Sequence, residues 1–277
     1  MCGIAGIIAS KPSETLLSQL KAMTGAIAHR GPDGEGHWIS ENEQVAFGHR
    51  RLAIIDLSEH GKQPMHYRER YSITFNGEIY NYIELKETLL QKGYTFESTS
   101  DTEVLLALYD LEKERCLEKL DGMFAFAIFG SQENQVFFAR DRFGEKPFYY
   151  TYFNQALYFG SEMKALWVAG IPKTPCKQRI FDYLAFDRIE SYEKPETTFF
   201  EGIFQLKPAH YARIDLAHPD RVIQQQYWKI DLTQRSSCSF EEAQKEFKRL
   251  LTKSIERRLR SDVPVGSSLS GGLDSSS

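Results

Sequence analysis

The chain has 277 residues, 42% hydrophobic and 26% charged, with a formal net charge of -4. Those values fit one large or two modest globular domains and exclude bulk electrostatic attraction to nucleic acid or to an anionic membrane. No apolar run reaches the ~18–20 residues of a membrane span, the start lacks a signal peptide's basic region and cleavage site, and the four cysteines (Cys2, Cys116, Cys176, Cys238) form no C-x-x-C pair, which argues against a zinc site or disulfide framework and for a reducing, cytoplasmic compartment.

Cys2 to Ala9 is a short apolar run with glycines at 3 and 6, the pattern of a buried strand. Taken alone, Cys2 is either a small hydrophobe at the start of that strand or a nucleophile. Removal of Met1 would leave a thiol and a free α-amine on one carbon. Their reference pKa values, about 8.5 and about 7.7–8.0, allow proton exchange near neutrality. After Ser13, apolar residues at Leu16, Leu17, Leu20, Met23 and Ile27 recur at helical spacing. His29-Arg30-Gly31-Pro32-Asp33-Gly34 reads as a shaped loop. Val45 to His49 reads as a strand that delivers Arg50 and Arg51; a guanidinium there is a surface charge or a two-point holder of a carboxylate.

Tyr71 to Phe75 alternates as a strand does and runs into Asn76-Gly77-Glu78-Ile79-Tyr80-Asn81. Tyr82, Leu85, Leu89 and Leu90 then recur at helical spacing. This places Asn76-Gly77 at a strand-to-helix corner, where exposed N–H groups can bind developing negative charge. Ser98-Thr99-Ser100-Asp101-Thr102-Glu103 is a helix start with Ser100 or Asp101 as N-cap. From Met123 to Phe159 the chain is a series of short, aromatic-rich strands separated by turns, Arg140-Asp141-Arg142-Phe143-Gly144 joining two of them. Two stacked sheets covered by helices accommodate this order. A helix carrying Ile180, Tyr183 and Leu184 follows, then closing strands between Phe199 and Trp228. Beyond the polar break Ser236 to Ser239, Phe240, Ala243, Phe247, Leu250, Leu251, Ile255 and Leu259 mark one face of an amphipathic helix. Val263-Pro264-Val265 reads as a strand leading into the Ser/Gly loop Ser270-Gly271-Gly272-Leu273-Asp274-Ser275, whose N–H and hydroxyl donors suit phosphate. It is not a Walker A loop, since G-K-[ST] is missing.

Met1-Cys2-Gly3-Ile4, His29 to Asp33, Arg51-Leu52, Asn76 to Asn81, Ser100 to Glu103 and Ser270 to Ser275 occur in one order. That order resembles glutamine-hydrolysing asparagine synthetases of the bacterial B type, from residue 2 to the last residue. The resemblance implies an α+β fold, a four-layer αββα sandwich of the N-terminal-nucleophile hydrolase, class II glutamine amidotransferase type over residues 2–230. It implies that residues 239–277 are the first helix, strand and pyrophosphate loop of an α/β ATP-pyrophosphatase-type synthetase domain. It further implies that Cys2 attacks glutamine, with Asn76 and Gly77 as the oxyanion hole. Arg51 would hold the α-carboxylate, Asp101 and Glu78 the α-ammonium, with Leu52, Ile54 and Ile55 also in the glutamine site. Leu269, Ser270, Gly271, Gly272, Asp274 and Ser275 would bind ATP. The resemblance also implies that ATP and Mg²⁺ serve the synthetase reaction, that no cofactor serves glutamine hydrolysis, that aspartate is the acceptor, and that ammonia reaches β-aspartyl-AMP through an internal tunnel. A homodimer is compatible with the resemblance, and neither nucleic acid nor membrane is a partner. The family's synthetase domain continues for a few hundred residues past this loop, so the chain is expected to be a fragment or truncated relative with glutaminase chemistry alone, and residues from about 240 onward are expected to expose the apolar face of their helix. Two other readings stay open: the same glutaminase unit serving another carboxylate or a β-lactam-forming reaction, and a catalytically dead binding module. Sugar-phosphate and phosphoribosyl amidotransferases share the first half, but the Ser270–Ser275 loop argues against both.

Overall fold

A computed structural model describes residues 1–273. In chain order the elements are β1 (Gly3–Ala9), α1 (Leu16–Ala26), β2 (Gly34–Ile39), β3 (Val45–Arg51), β4 (Met65–Tyr67), β5 (Tyr71–Ile79), α2 (Tyr82–Gln91), α3 (Asp101–Glu112), α4 (Cys116–Lys119), β6 (Gly122–Gly130) and β7 (Gln135–Arg140). There follow β8 (Tyr149–Phe153), β9 (Ala156–Gly160), α5 (Met163–Val168), α6 (Lys177–Phe186), β10 (Phe204–Gln205), β11 (His210–Asp215), β12 (Gln224–Gln226) and α7 (Phe240–Arg258).

The strands form two six-stranded antiparallel sheets, in the orders β10-β8-β9-β1-β3-β2 and β12-β11-β7-β6-β5-β4. Side chains alternate across a strand, and here both faces are buried. In β1, Ile4 and Ile8 face the other sheet, while Ala5, Ile7 and Ala9 face α1 and α5. In β6, Ala125, Ala127 and Phe129 face the first sheet, while Phe124, Phe126 and Ile128 face α3 and its neighbours. That double burial is why these strands read as continuous apolar runs rather than alternating ones. The aromatic residues fill the space between the sheets: Phe148 stacks on Phe159 at 5.3 Å with an 8° interplanar angle, and Phe138 packs against both. Burial of each such ring contributes roughly 2–3 kcal/mol. The result is helix, sheet, sheet, helix, the four-layer α+β sandwich expected from the sequence.

Three sequence expectations are corrected. Asn76 and Gly77 do not sit at a strand-to-helix corner: β5 pairs with β6 without interruption from Tyr71↔Gly130 to Ile79↔Gly122. The turn comes at Tyr80 and Asn81, because the partner strand stays in register four residues further than the local pattern suggests. Residues 263–269 are not a strand; an extended segment needs a ladder partner, and none of the strands among the described residues pairs with it. Strands β2 and β4 were not anticipated; both are short and mixed in polarity, and pairing to β3 and β5 creates them. The amphipathic helix expected after residue 239 is present as α7, capped by a reciprocal Ser239–Glu242 capping box. Its Phe240, Phe247, Leu250, Leu251, Ile255 and Leu259 are exposed.

Candidate active site

The first strand carries Cys2 to the end of the inner layer, where its thiol meets the segment leaving β3. The Leu52 N–H donates to Cys2 Sγ at 3.3 Å, and the thiol lies 3.5 Å from the Leu52 carbonyl. Arg30 holds the same residue from the other side, its Nε donating to the Cys2 carbonyl at 2.9 Å while its Nη1 pairs with Glu162 at 3.0 Å. Burial pushes the Cys2 thiol pKa up, and the Leu52 N–H only partly opposes it. The sulfur is therefore held as a thiol awaiting a base. With Met1 attached, the Cys2 nitrogen is in a peptide bond and cannot be that base.

Opposite Cys2 lies the free edge of β5. Antiparallel strands direct alternate N–H groups to opposite sides. The Tyr80 N–H reaches the Asp121 carbonyl on the β6 side at 2.7 Å, so the N–H groups of Phe75, Gly77 and Ile79 point the other way. β4 would cover that edge, but it ends at Met65, opposite Ile73. Side chains take over: Gln63 Oε1 accepts from the Phe75 N–H at 2.7 Å, and Asp101 Oδ2 accepts from the Ile79 N–H at 2.9 Å. Between them the Gly77 N–H is left aimed into the cleft. Residue 77 must be glycine, because a Cβ there would overlap the Met123 carbonyl, the Phe75 ring and the Phe124 backbone. Beside it, Asn76 is 1% exposed, and among the described residues neither its Nδ2 nor its Oδ1 has a hydrogen-bond partner. A buried, unpaired amide costs free energy, and a ligand oxygen at this place would satisfy it.

The cleft is lined by charges of both signs, Arg51 and Lys146 with Glu78 and Asp101. Arg51, the last residue of β3, gives two of its N–H groups to the carbonyls of Asp56 and Ser58, the second at 3.0 Å. Arg51 also lines the cleft. Asp101 opens α3, where Ser100 accepts from the Thr102 N–H at 3.1 Å as N-cap. Burial lifts the Asp101 carboxyl to about 7, against the Ile79 N–H bond that favours its ionised form. Burial also raises Glu78, opposed by the Lys146 ammonium. A cation bound between Asp101 and Glu78 would restore the charged form of both.

Cys2, Arg51, Leu52, Ile54, Ile55, Asn76, Gly77, Glu78 and Asp101 line one cleft. Every glutamine-site residue expected from the sequence is thus brought to one place. Ser270, Gly271, Gly272 and Leu269 do not line it and are exposed; Asp274 and Ser275 lie outside the described residues. The Ser270 loop has a donor set suited to phosphate: the Gly272 N–H turns over the Ser270 hydroxyl at 3.5 Å, and Gly271 adopts φ +77°.

Among the cleft residues that escaped the sequence reading, Lys146, Gln63 and His49 carry polar groups. Lys146 is 5% exposed, with burial lowering its pKa and Glu78 opposing that shift. Its backbone is fixed at both ends, N–H to Asp141 Oδ2 at 3.0 Å and carbonyl to Arg140 Nε at 2.7 Å. The Arg140-Asp141 pair was legible only as a strand connection. Gln63 and His49 also line the cleft. His49 donates from Nε2 to the Phe75 carbonyl at 3.0 Å, and full burial lowers its pKa to about 4, so it is neutral. No local pattern marks either of them.

Known proteins resemble this chain in sequence and in fold. Residues 1–228 match the family model described as a glutamine amidotransferase domain, and residues 246–277 match the one described as asparagine synthase. The chain is 42% identical to asparagine synthetase [glutamine-hydrolyzing] 1 of Bacillus subtilis, covering 100% of this chain and 43% of that protein. It is 34% identical to amidase chry2 of Gibberella zeae, covering 100% of this chain and 42% of that one. The chain therefore spans less than half the length of these curated relatives. A glutamine phosphoribosylpyrophosphate amidotransferase from B. subtilis superposes with a TM-score of 0.62 at 19% identity, covering 83% of this chain and 50% of that one; the likeness there is of fold.

Proposed function

The chain belongs to the glutamine amidotransferase domain family over residues 1–228, and from that premise we propose that it hydrolyses glutamine to glutamate and ammonia at Cys2. Arg51 holds the substrate α-carboxylate, and Asp101 with Glu78 receives the α-ammonium; a zwitterion needs one cation and one anion held apart. After removal of Met1, the Cys2 sulfur attacks the side-chain amide carbon and its proton passes to the Cys2 α-amine. The carbonyl oxygen takes the negative charge and is held by Asn76 Nδ2 and the Gly77 N–H, each worth roughly 3–4 kcal/mol in the transition state. The α-ammonium then protonates the departing nitrogen, the C–N bond breaks, and ammonia leaves a thioester. Water adds with the amine as base, glutamate is released and the thiol returns. The observation that carries this reading is the buried Asn76 amide, without a partner among the described residues, beside the inward-facing Gly77 N–H in the cleft that holds Cys2.

In a protein of the relatives' full length we assign the ammonia to aspartate activated with ATP and Mg²⁺, with residues 2–230 as the glutaminase unit and 239–277 as the start of the synthetase unit, in the cytoplasm. Aspartate is preferred over another carboxylate because residues 246–277 match an asparagine synthase model and the B. subtilis relative carries that name. The test is glutamate release by purified protein whose intact mass shows the loss of Met1. Cys2→Ala should abolish release with an unchanged thermal unfolding midpoint; glutamate release retained in that variant overturns the mechanism.

A further inference from the structure

The wall of the cleft between Leu52 and Ser58 is a loop, and its far side is held by a residue some two hundred positions away. The Asp262 N–H donates to the Ile54 carbonyl at 2.9 Å, and Asp262 Oδ2 accepts from the Asp56 N–H at 2.7 Å. One residue thus grips the loop on both sides of Ile55. The grip falls where the loop needs it: Asp56 has φ +54°, a conformation disfavoured for a residue with a side chain, and the Asp56 carbonyl is one of the two that orient Arg51. Asp262 is itself anchored. Just before it, Arg260 bonds the Tyr80 carbonyl at 2.6 Å and takes Glu84 in two contacts of 2.6 and 3.0 Å, while Arg257 pairs with Asp121 at 2.7 Å. Tyr80 and Asp121 are the turn residues that end β5 and precede β6. The end of α7 therefore sits on the exit of the strand that carries Asn76 and Gly77, and reaches from there to the loop that orients Arg51.

We propose that Asp262 is a positioning residue of the glutamine cleft, contributed by the segment that matches asparagine synthase rather than by the amidotransferase domain. It acts through Ile54 and Asp56 on the placement of Arg51, and so on recognition of the substrate α-carboxylate; the inference rests on the glutaminase reading above. A residue that fixes a carboxylate-binding arginine, without touching the reacting atoms, should change ground-state binding more than the chemical step.

Steady-state glutamine hydrolysis by the intact protein tests this. Asp262→Ala should raise KM for glutamine about tenfold with kcat within twofold, whereas Asp262→Asn keeps an Oδ acceptor for the Asp56 N–H and should stay within twofold in both. A merely structural role would lower kcat and the fraction of folded protein together in both variants. To cover a poorly folded Ala variant, amide exchange of the Asn variant is the second measurement, and Asp56 should remain as protected as in wild type. An unchanged KM in Asp262→Ala, or an unchanged KM with an exposed Asp56 amide in Asp262→Asn, overturns the proposal while leaving the glutaminase reading intact. Absence of hydrolysis by the wild-type protein with Met1 removed overturns both.

Discussion

The cleft around Cys2 and the loop from Ser270 to Gly272 are both small-residue, polar stretches built to offer N–H groups to negative charge, and they meet different fates in the fold. In the cleft, the N–H of Gly77 is aimed by a continuous nine-residue ladder between β5 and β6. Its neighbours at Phe75 and Ile79 are already occupied by Gln63 and Asp101. In the loop, Gly271 has φ +77° and nothing within 4 Å of where a Cβ would stand. The contrast teaches that donor-rich composition alone is inexpensive. What makes donors into a catalytic device is a rigid frame that denies them other partners.

The sharpest way to break that comparison is to add one methyl group to each. Gly77→Ala should lower glutamate release about a thousandfold and destabilise the domain by about 1–3 kcal/mol, because the new Cβ meets the Met123 backbone. Gly271→Ala should cost roughly 1 kcal/mol of local backbone strain and leave the unfolding midpoint unmoved. Thermal unfolding of the two variants side by side, with glutamate release, checks both. A Gly77→Ala protein that matches wild type would show that the edge of β5 is not closely framed.

Asn76 sharpens the same point with a smaller effect. Asn76→Ala should reduce kcat by about 10²–10³ with little change in KM. Its stability should stay near that of wild type, since the amide it loses has no partner among the described residues. Kinetics and denaturant titration on one preparation separate the two effects. A large loss of stability would mean that the amide serves the fold.

The smallest effect is one of pH. Folding raises the Asp101 carboxyl from its unfolded range near 4 to about 7, so the folded state binds the proton more tightly. The stabilisation is complete below the unfolded pKa and is lost as pH climbs through 7. Urea titrations from pH 4 to 7 should therefore slope downward, and Asp101→Asn should flatten the slope. Glutamine's ammonium selects the carboxylate, so its binding to the Cys2→Ala protein should tighten about tenfold between pH 6 and 8. Calorimetry showing pH-independent binding would separate Asp101 from the ammonium.

Much of this was legible beforehand where a residue's partners are close in sequence or its burial is uniform. The Ser100 cap and the start of α3 depend on neighbours within six residues, Glu103 folding back to the Glu97 and Ser98 N–H groups. The apolar runs of β1 and β6 announced buried strands, and the fold covers both faces of each. Asn76-Gly77 was misplaced at a corner because a dipeptide carries no record of how far its partner strand stays paired. Val263-Pro264-Val265 looked like a strand because it is apolar, but pairing needs a second chain segment that composition does not reveal.

The sequence by itself determined the layers, the helix that opens with Asp101 and, through the order of its motifs, the chemistry expected at Cys2. Tertiary structure decided that Gly77 turns its N–H inward and that Asn76 is buried without a hydrogen-bond partner among the described residues. It also decided that Lys146, Gln63 and His49 join the cleft, and that Asp262 grips the loop that orients Arg51. The reason is physical. Hydrophobic periodicity and capping are local and are written along the chain, whereas a cleft is made of groups whose burial and hydrogen bonds depend on strands and loops far away in sequence.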